Sequence, residues 1–189
     1  RMLTTQFEQL RAELVDNELR RQGVTDEAVL DAMRTVPREA FVADEFREFA
    51  YRNAPLPIGK GQTISQPLVV AHMAEALALR PDDSVLEVGA GSGYAAAVLS
   101  HLAKHVVAIE RHGDLADAAR RRLKKLHYDN VSVISGNGTL GYAAAAPFDA
   151  IVVAAAGPKI PPLLLEQLRI GGRLVMPVGQ GDSDQRLVR

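Results

Sequence analysis

Apolar positions along the first half of the chain fall at helical spacing and then give way to turn residues. Over residues 4–22, Phe7, Leu10, Leu14 and Leu19 stand among charged neighbours and Gly23 follows as a stop, which predicts a helix with one apolar stripe. A second helix is expected over 26–35. Thr25 is its expected N-cap, Asp26 and Glu27 lie in the first turn, where the helix dipole favours anions, and Pro37 closes the segment. Residues 36–50 hold Phe41, Phe46 and Phe49, three of the five phenylalanines, and read as a local hydrophobic cluster. In YRNAPLPIGKGQTISQP, 51–67, three prolines and two glycines argue against regular structure, so a constrained polar loop should lead into a helix over 68–79.

From residue 84 the pattern changes to short apolar runs separated by helical segments. SVLEV, 84–88, enters a glycine cluster and then the alanine-rich AAAVLSHLA, which reads as strand, tight turn and helix. Strands are expected at 106–110, 131–135, 149–154 and 172–178, with helices over 112–126 and 161–168. Gly171-Gly172 suits a helix C-terminus passing directly into a strand, and VSVIS and DAIVVAA are apolar as strands buried on both faces should be. The alternation predicts an α/β fold, a doubly wound and mostly parallel sheet with an N-terminal helical extension. Residues 1–66 are expected to form the helical region and loop of the same domain whose core is 67–189. No internal repeat or low-complexity tract is present.

Composition narrows the classes. A chain of 189 residues, 47% hydrophobic, can hide roughly 70% of its unfolded surface in one core. The net charge of −1 gives no long-range positive field, so nucleic acid is not an expected partner. There are no cysteines, which excludes thiolate nucleophiles and disulfides. No apolar run reaches the roughly 20 residues that span a bilayer, and RMLTTQFEQL lacks a basic-then-apolar secretory pattern, so a cytosolic protein without a membrane partner is expected. Arg1 ahead of Met2 suggests that these are not natural termini.

The glycine cluster carries the first candidate chemistry. Gly89, Gly91 and Gly93 let the turn take positive φ and lie against a ligand, with N–H groups free at the start of the next helix. Glu110 ends the second strand 21 residues beyond Gly89, where a carboxylate can hydrogen-bond ribose hydroxyls, and the pair suggests a nucleoside-containing ligand. A plain β-turn and a solvated strand-end carboxylate are the other readings. The dinucleotide pattern G-x-G-x-x-G would need glycine at Tyr94. The chain instead reads Glu87-Val88-Gly89-Ala90-Gly91-Ser92-Gly93, and E-x-G-x-G-x-G resembles the first motif of S-adenosylmethionine-dependent methyltransferases.

The run Pro55-Leu56-Pro57-Ile58-Gly59-Lys60-Gly61-Gln62-Thr63-Ile64-Ser65-Gln66-Pro67, followed by VVAHMAEAL, resembles the signature of protein-L-isoaspartate O-methyltransferases. LEVGAGSGY, GNGTLGY, PFDAIVVAAAGPKIP and LRIGGRLVMPVG follow in that family's order, so the resemblance covers roughly residues 5 to 180. It implies a Rossmann-like methyltransferase fold, S-adenosyl-L-methionine as cofactor, and methyl transfer to the α-carboxylate of L-isoaspartyl residues in damaged proteins and peptides, the ester then collapsing to a succinimide. It puts the methionine end of the cofactor at Glu87, Gly89, Gly91 and Gly93, the ribose at Glu110 and the adenine near Asn137 and Gly138. On the substrate side it implies Ser65 as the contact that orients the carboxylate, with the backbone of Ile58, Gly59 and Gly61 lining the same pocket. A carboxylate with an intrinsic pKa near 4 is already ionised, so such a reaction needs positioning and desolvation and no general base.

Departures and alternative readings accompany the resemblance. Asn137 stands where the family usually has Asp, Ala43 replaces a usual proline, Asn53 replaces a usual acidic residue, and the family continues into further strands after the point where this chain ends, at Arg189. Ser65 also reads as an N-cap of the helix that follows it. A specialised relative that methylates an Asp of one dedicated partner peptide, and a cofactor-binding module without turnover, remain open. His101 and His105 are four apart but lack the Glu of H-E-x-x-H, so no metal site is expected. His72, His112 and His127 read as packed or solvated side chains. The basic run Arg120, Arg121, Arg122, Lys124 and Lys125 reads as a solvated helix surface.

Overall fold

The computed structural model describes residues 2–154, 159–178 and 186–188. The remainder, including 155–158 of the PFDAIVVAAAGPKIP run and most of the stretch after Val178, lies outside the described residues. Helix α1, Thr4–Glu13, continues into a π-helical segment, Leu14–Leu19. The wider turn is closed by Arg20 N–H to Val15 carbonyl and brings Leu14 and Leu19, five apart, into the core beside Val15. Arg11 turns inward as well, to Glu39 and Tyr51, and so ties α1 to the segment that precedes the signature run. Helix α2 is Glu27–Thr35, and its N-cap is Asp26 rather than Thr25: the Asp26 carboxylate accepts from Ala28 N and Val29 N. Thr25 N and Asp26 N both donate to Glu75 instead.

Two 3-10 turns, Arg38–Phe41 and Asp44–Phe49, replace the expected local aromatic cluster. Phe41 is fully buried and meets Tyr94 edge-on, Phe46 packs at the border of the same core, and Phe49 lies under Arg52. Regular structure also appears within 51–67. Strands β1, Leu56–Gly59, and β2, Gln62–Ile64, form an antiparallel hairpin. Its tip, Gly59, Lys60 and Gly61, has positive φ throughout, a conformation that glycine adopts readily and that admits a tight reversal.

Helix α3 is Pro67–Leu77 and strand β3 is Ser84–Val88. Then come α4, Tyr94–Ser100; β4, His105–Glu110; α5, Gly113–Lys125; β5, Val131–Ser135; β6, Phe148–Val153; α6, Pro162–Glu166; β7, Leu168–Val178; and β8, Arg186–Val188. The sheet runs β5-β4-β3-β6-β7-β8, with the first five strands parallel and β8 antiparallel at the edge. The Gly171-Gly172 junction is a bulge rather than a simple helix end. Leu168 pairs with Phe148 and Arg173 with Ala150, so residues 169–172 loop out between them, with Gly171 at φ 81°.

Alternation along the strands splits the core into two layers. Val85, Val106, Ala108, Ala150 and Val152 face α3, α4, α5 and the N-terminal helices, whereas Leu86, Val107, Ile109, Ile151 and Val153 face α6. Because β3 lies between β4 and β6, the chain leaves it toward one side of the sheet and later returns to its other side. The carboxyl ends of β3, β4 and β6 therefore open onto a crevice at the point where the strand order reverses.

Candidate active site

A cavity of about 200 Å³ occupies that crevice. Its floor is the end of β3 and the glycine turn, with Glu87, Gly89, Gly91 and Ser92. Glu110 closes one side, Ala154 another, and Gly61 to Ser65 of the hairpin arm form the wall opposite. Gly89, Gly91 and Gly93 all have positive φ, at 94°, 53° and 89°. At Gly91 a Cβ would come within 3.2 Å of the Ile58 Cδ1 atom, so a larger residue there would press on the hairpin as well as strain the turn. Gly93 packs the other way, against Leu123 and Ala119 of α5. The hairpin tip is tied down by Lys60 to Asp114 at 3.1 Å, an exposed ion pair.

Several N–H groups of the turn itself are engaged within the protein. Gly89 N and Ala90 N donate to the Ile109 carbonyl, Gly91 N to Glu110 Oε1 at 3.1 Å, and Gly93 N to the Ala90 carbonyl. Tyr94 N donates to Ser92 Oγ. The cavity presents two carboxyl side chains, Glu87 and Glu110. Glu110 Oε2 also accepts from His112 N at 2.8 Å, which fixes the plane of that carboxylate at the cavity edge while lone pairs remain on both oxygens. Glu87 is 1% exposed and its Oε1 has no hydrogen-bond partner. Burial, reinforced by Glu110, pushes the Glu87 carboxyl up to about 8. An orphaned buried oxygen beside a second carboxylate fits a ligand that brings positive charge and hydroxyl groups.

Ser65 lines the cavity and does not cap α3. The N-cap is Gln66 without a side-chain bond, Pro67 takes the first helical position, and the Ser65 hydroxyl has no hydrogen-bond partner among the described residues. Gly59 lies at the exposed hairpin tip, off the cavity wall, and Ile58 contacts the turn from above. Asn137 and Gly138 sit beside the site and not on its lining. Gly136 N donates to the Glu110 carbonyl, and a Cβ at Gly138 would overlap Val88 at the end of β3, so the turn is locked against the strand ends. The Asn137 Oδ1 atom accepts from Thr139 N at 3.1 Å and Thr139 Oγ1 at 2.7 Å, the capping geometry of an Asx turn.

Residues 9–189 match the family described as protein-L-isoaspartate(D-aspartate) O-methyltransferase. The chain belongs to this family. The protein-L-isoaspartate O-methyltransferase of Rhodopseudomonas palustris is 56% identical over 93% of this chain and 81% of its own length, and that of Methylorubrum extorquens 58% identical over 95% and 79%. Among solved structures, a protein-L-isoaspartate O-methyltransferase superposes with a TM-score of 0.80 at 30% identity, over 91% of this chain and 55% of that one. A Plasmodium falciparum structure assigned to the same activity, in complex with S-adenosyl-L-homocysteine, gives 0.77 at 27% identity over 94% and 87%.

Two of the departures from this family's pattern are conservative in their local roles. Asn53 Oδ1 accepts from Leu68 N at 3.1 Å, capping the first turn of α3 from across the loop, a task that needs only an oxygen. Ala43 has φ −62° and follows an extended Val42, a backbone that proline would also take.

Other residues at the site escaped the sequence reading. Val70, Met73 and Tyr94 form its buried apolar wall. Arg122, grouped by sequence with a solvated basic run, turns inward. Its Nη1 donates to the Ser92 carbonyl at 2.7 Å, and its guanidinium lies over Phe41. The only available signal was position, since Arg122 is next to the buried Leu123 on an amphipathic helix. The two histidines of HLAKH face different partners, His101 the Tyr128 hydroxyl and His105 the Ser132 hydroxyl.

Proposed function

We propose that the cavity between the hairpin arm and the glycine turn is where S-adenosylmethionine and an L-isoaspartyl carboxylate meet, with Glu87, Gly89, Gly91 and Glu110 on the cofactor side and Ile58, Gly61 and Ser65 on the substrate side. The chain is an S-adenosylmethionine-dependent methyltransferase that acts on L-isoaspartyl residues of damaged proteins and peptides. Bound there, the cofactor supplies an electrophilic methyl group on a sulfonium. One observation supports the site assignment: Glu87, Gly89, Gly91 and Glu110 from the cofactor side and Gly61 and Ser65 from the substrate side line a single cavity.

The chain's own groups do what such a transfer requires. Ser65 offers an uncommitted hydroxyl that donates to the incoming carboxylate and holds one oxygen in line. Val70, Met73 and Tyr94 keep water from that oxygen and so strengthen it as a nucleophile. No histidine or lysine lines the cavity among the described residues, which suits a reaction whose nucleophile is already ionised. Glu110 presents a fixed carboxylate to ribose hydroxyls. Gly59 shapes the hairpin tip and Gly93 the entry to α4. Asn137 and Gly138 would flank an adenine, although the Asn137 amide oxygen already accepts from Thr139.

We take 1–66 and 67–189 as one domain, because one hydrophobic cluster joins the N-terminal helices to α3, α4, α5 and the sheet. Among the described residues no helix is long and apolar enough to cross a membrane. We also propose a cytosolic setting, and the net charge of −1 argues against nucleic acid as a partner.

The site assignment is tested by Ser65→Ala with an isoaspartyl peptide, the methyl ester and its succinimide product being followed by mass spectrometry. Turnover is expected to fall about 10-fold or more, since an oriented hydrogen bond to a charged group contributes roughly 1.5–3 kcal/mol, while the melting curve stays that of the parent. Unchanged turnover and unchanged peptide KM would remove Ser65 from the site.

A further inference from the structure

We propose that Arg38 is a positioning residue for methyl transfer: its guanidinium sets the gap between the hairpin arm and the Tyr94 wall, and so holds Ser65 in line with the incoming carboxylate. The inference rests on the proposed site and adds to it a residue outside the cavity lining. Arg38 is fully buried in the first 3-10 turn. Its Nε donates to the Ala50 carbonyl at 2.8 Å and its Nη2 to the Ala54 carbonyl at 3.3 Å, while its Nη1 has no partner among the described residues. The guanidinium carbon lies 4.9 Å from the centre of the Tyr94 ring. The adjacent Glu39 is taken by Arg11 and Tyr51. A buried charge gives little stability that an apolar side chain of similar volume would not, so what the planar fork contributes here is geometry.

The two carbonyls mark the ends of the short loop that leads into the hairpin. Ala54 stands two residues before Leu56, Leu56 pairs with Ile64, and Ser65 follows. Ile64, Ser65 and Tyr94 all line the cavity. One rigid plane therefore touches both the root of the hairpin and the ring that α4 gives to the same cavity. Other ties fix the loop to α1 and α3: Arg11 Nε donates to the Tyr51 hydroxyl at 2.7 Å, and Asn53 Oδ1 accepts from Leu68 N at 3.1 Å. Arg38 joins it to Tyr94. When transfer depends on alignment, a shift of about 1 Å in the wall that carries the orienting hydroxyl can cost about 100-fold in rate. The cofactor side, Glu87, Gly89, Gly91 and Glu110, rests on the strand ends and takes no bond from Arg38.

The test compares Arg38→Lys, which keeps the charge and loses the planar fork, with Arg38→Met, which keeps much of the volume and loses both. For each variant, S-adenosylhomocysteine affinity is measured by calorimetry, and kcat and peptide KM are measured with an isoaspartyl peptide at saturating S-adenosylmethionine. In both, kcat is expected to fall about 10-fold or more, with a smaller change in peptide KM. Cofactor affinity should stay within about 3-fold of the parent. A one-glycine insertion between Ala54 and Pro55 leaves Arg38 and its two carbonyls in place but slackens the hairpin root. Loops accept such insertions at small cost, and this one should reproduce the loss of kcat. Full kcat in a folded Arg38→Lys would assign the effect to charge and overturn the proposal, as would full kcat in a folded Arg38→Met or in the insertion. A loss of cofactor affinity as large as the loss of kcat would show general loosening and overturn it too. Failure of the folded parent to bind S-adenosylhomocysteine or to methylate the peptide would remove the site reading as well. The insertion decides the matter where the Arg38 variants fold poorly.

Discussion

Glu87 has a cost in the free protein that follows from its surroundings. Its carboxyl titrates at about 8 in the folded chain against an ordinary 4.5, because burial and Glu110 oppose the charge. The unfolded chain ionises first, so the stability present at acid pH declines as pH rises from about 4.5 to about 8 and is constant thereafter. Relative to the parent, Glu87→Gln should gain stability across that window, on the order of a few kcal/mol, seen by comparing ligand-free melts at about pH 5 and about pH 9. Parallel curves for the two proteins would contradict this. The same scale shows what sequence reveals. Gly89, Gly91, Gly93 and Glu110 were readable because their spacing states a backbone requirement and a reach. The engagement of the Asn137 oxygen by Thr139 and the inward turn of Arg122 were not, since each depends on a partner chosen by the fold: Thr139's side chain in one case, the Ser92 carbonyl in the other.

Elements were legible where hydrophobic period spoke and obscure where turn chemistry decided. The strands at β3, β4, β5 and β6 emerge within a residue or so of their expected places; β3, β4 and β6 are apolar runs buried on both faces, whereas β5, at the sheet edge, buries only Val133 and does not meet that expectation. The β1–β2 hairpin was hidden by its prolines and glycines, which suppress the alternating pattern, although three consecutive positive φ values at its tip are what those glycines permit. The π-helical end of the first helix was hidden as well, because Leu14 and Leu19 fit an α stripe loosely and a wider turn well. At this scale Asn53 makes a prediction. Asn53→Ala removes the oxygen that caps Leu68 N and should destabilise the protein by about 1 kcal/mol, whereas Asn53→Asp keeps the acceptor, adds a charge that the helix N-terminus favours, and should be at least as stable as the parent. Denaturant melts of both variants check it, and an Ala variant as stable as the parent would remove the cap.

Across the whole molecule, the order of the sheet converts local features into a site. Placing β3 between β4 and β6 brings Glu87, the glycine turn, Glu110 and Ala154 to one crevice, and the hairpin that precedes α3 folds over it with Ile58 against Gly91. Alternating strands and helices announced a parallel sheet. The juxtaposition of residues 61–65 with residues 87–92 came from tertiary folding and from the family resemblance, not from any local pattern. The central claim is that this crevice moves a methyl group to an isoaspartyl carboxylate and distinguishes it from an ordinary aspartyl one. The most direct measurement is transfer of labelled methyl from S-adenosylmethionine to a matched pair of peptides, one with L-isoaspartate and one with aspartate at the same position. The account predicts label in the isoaspartyl peptide alone, lost again as the ester closes to succinimide; equal labelling of both peptides, or cofactor binding with neither labelled, would contradict it.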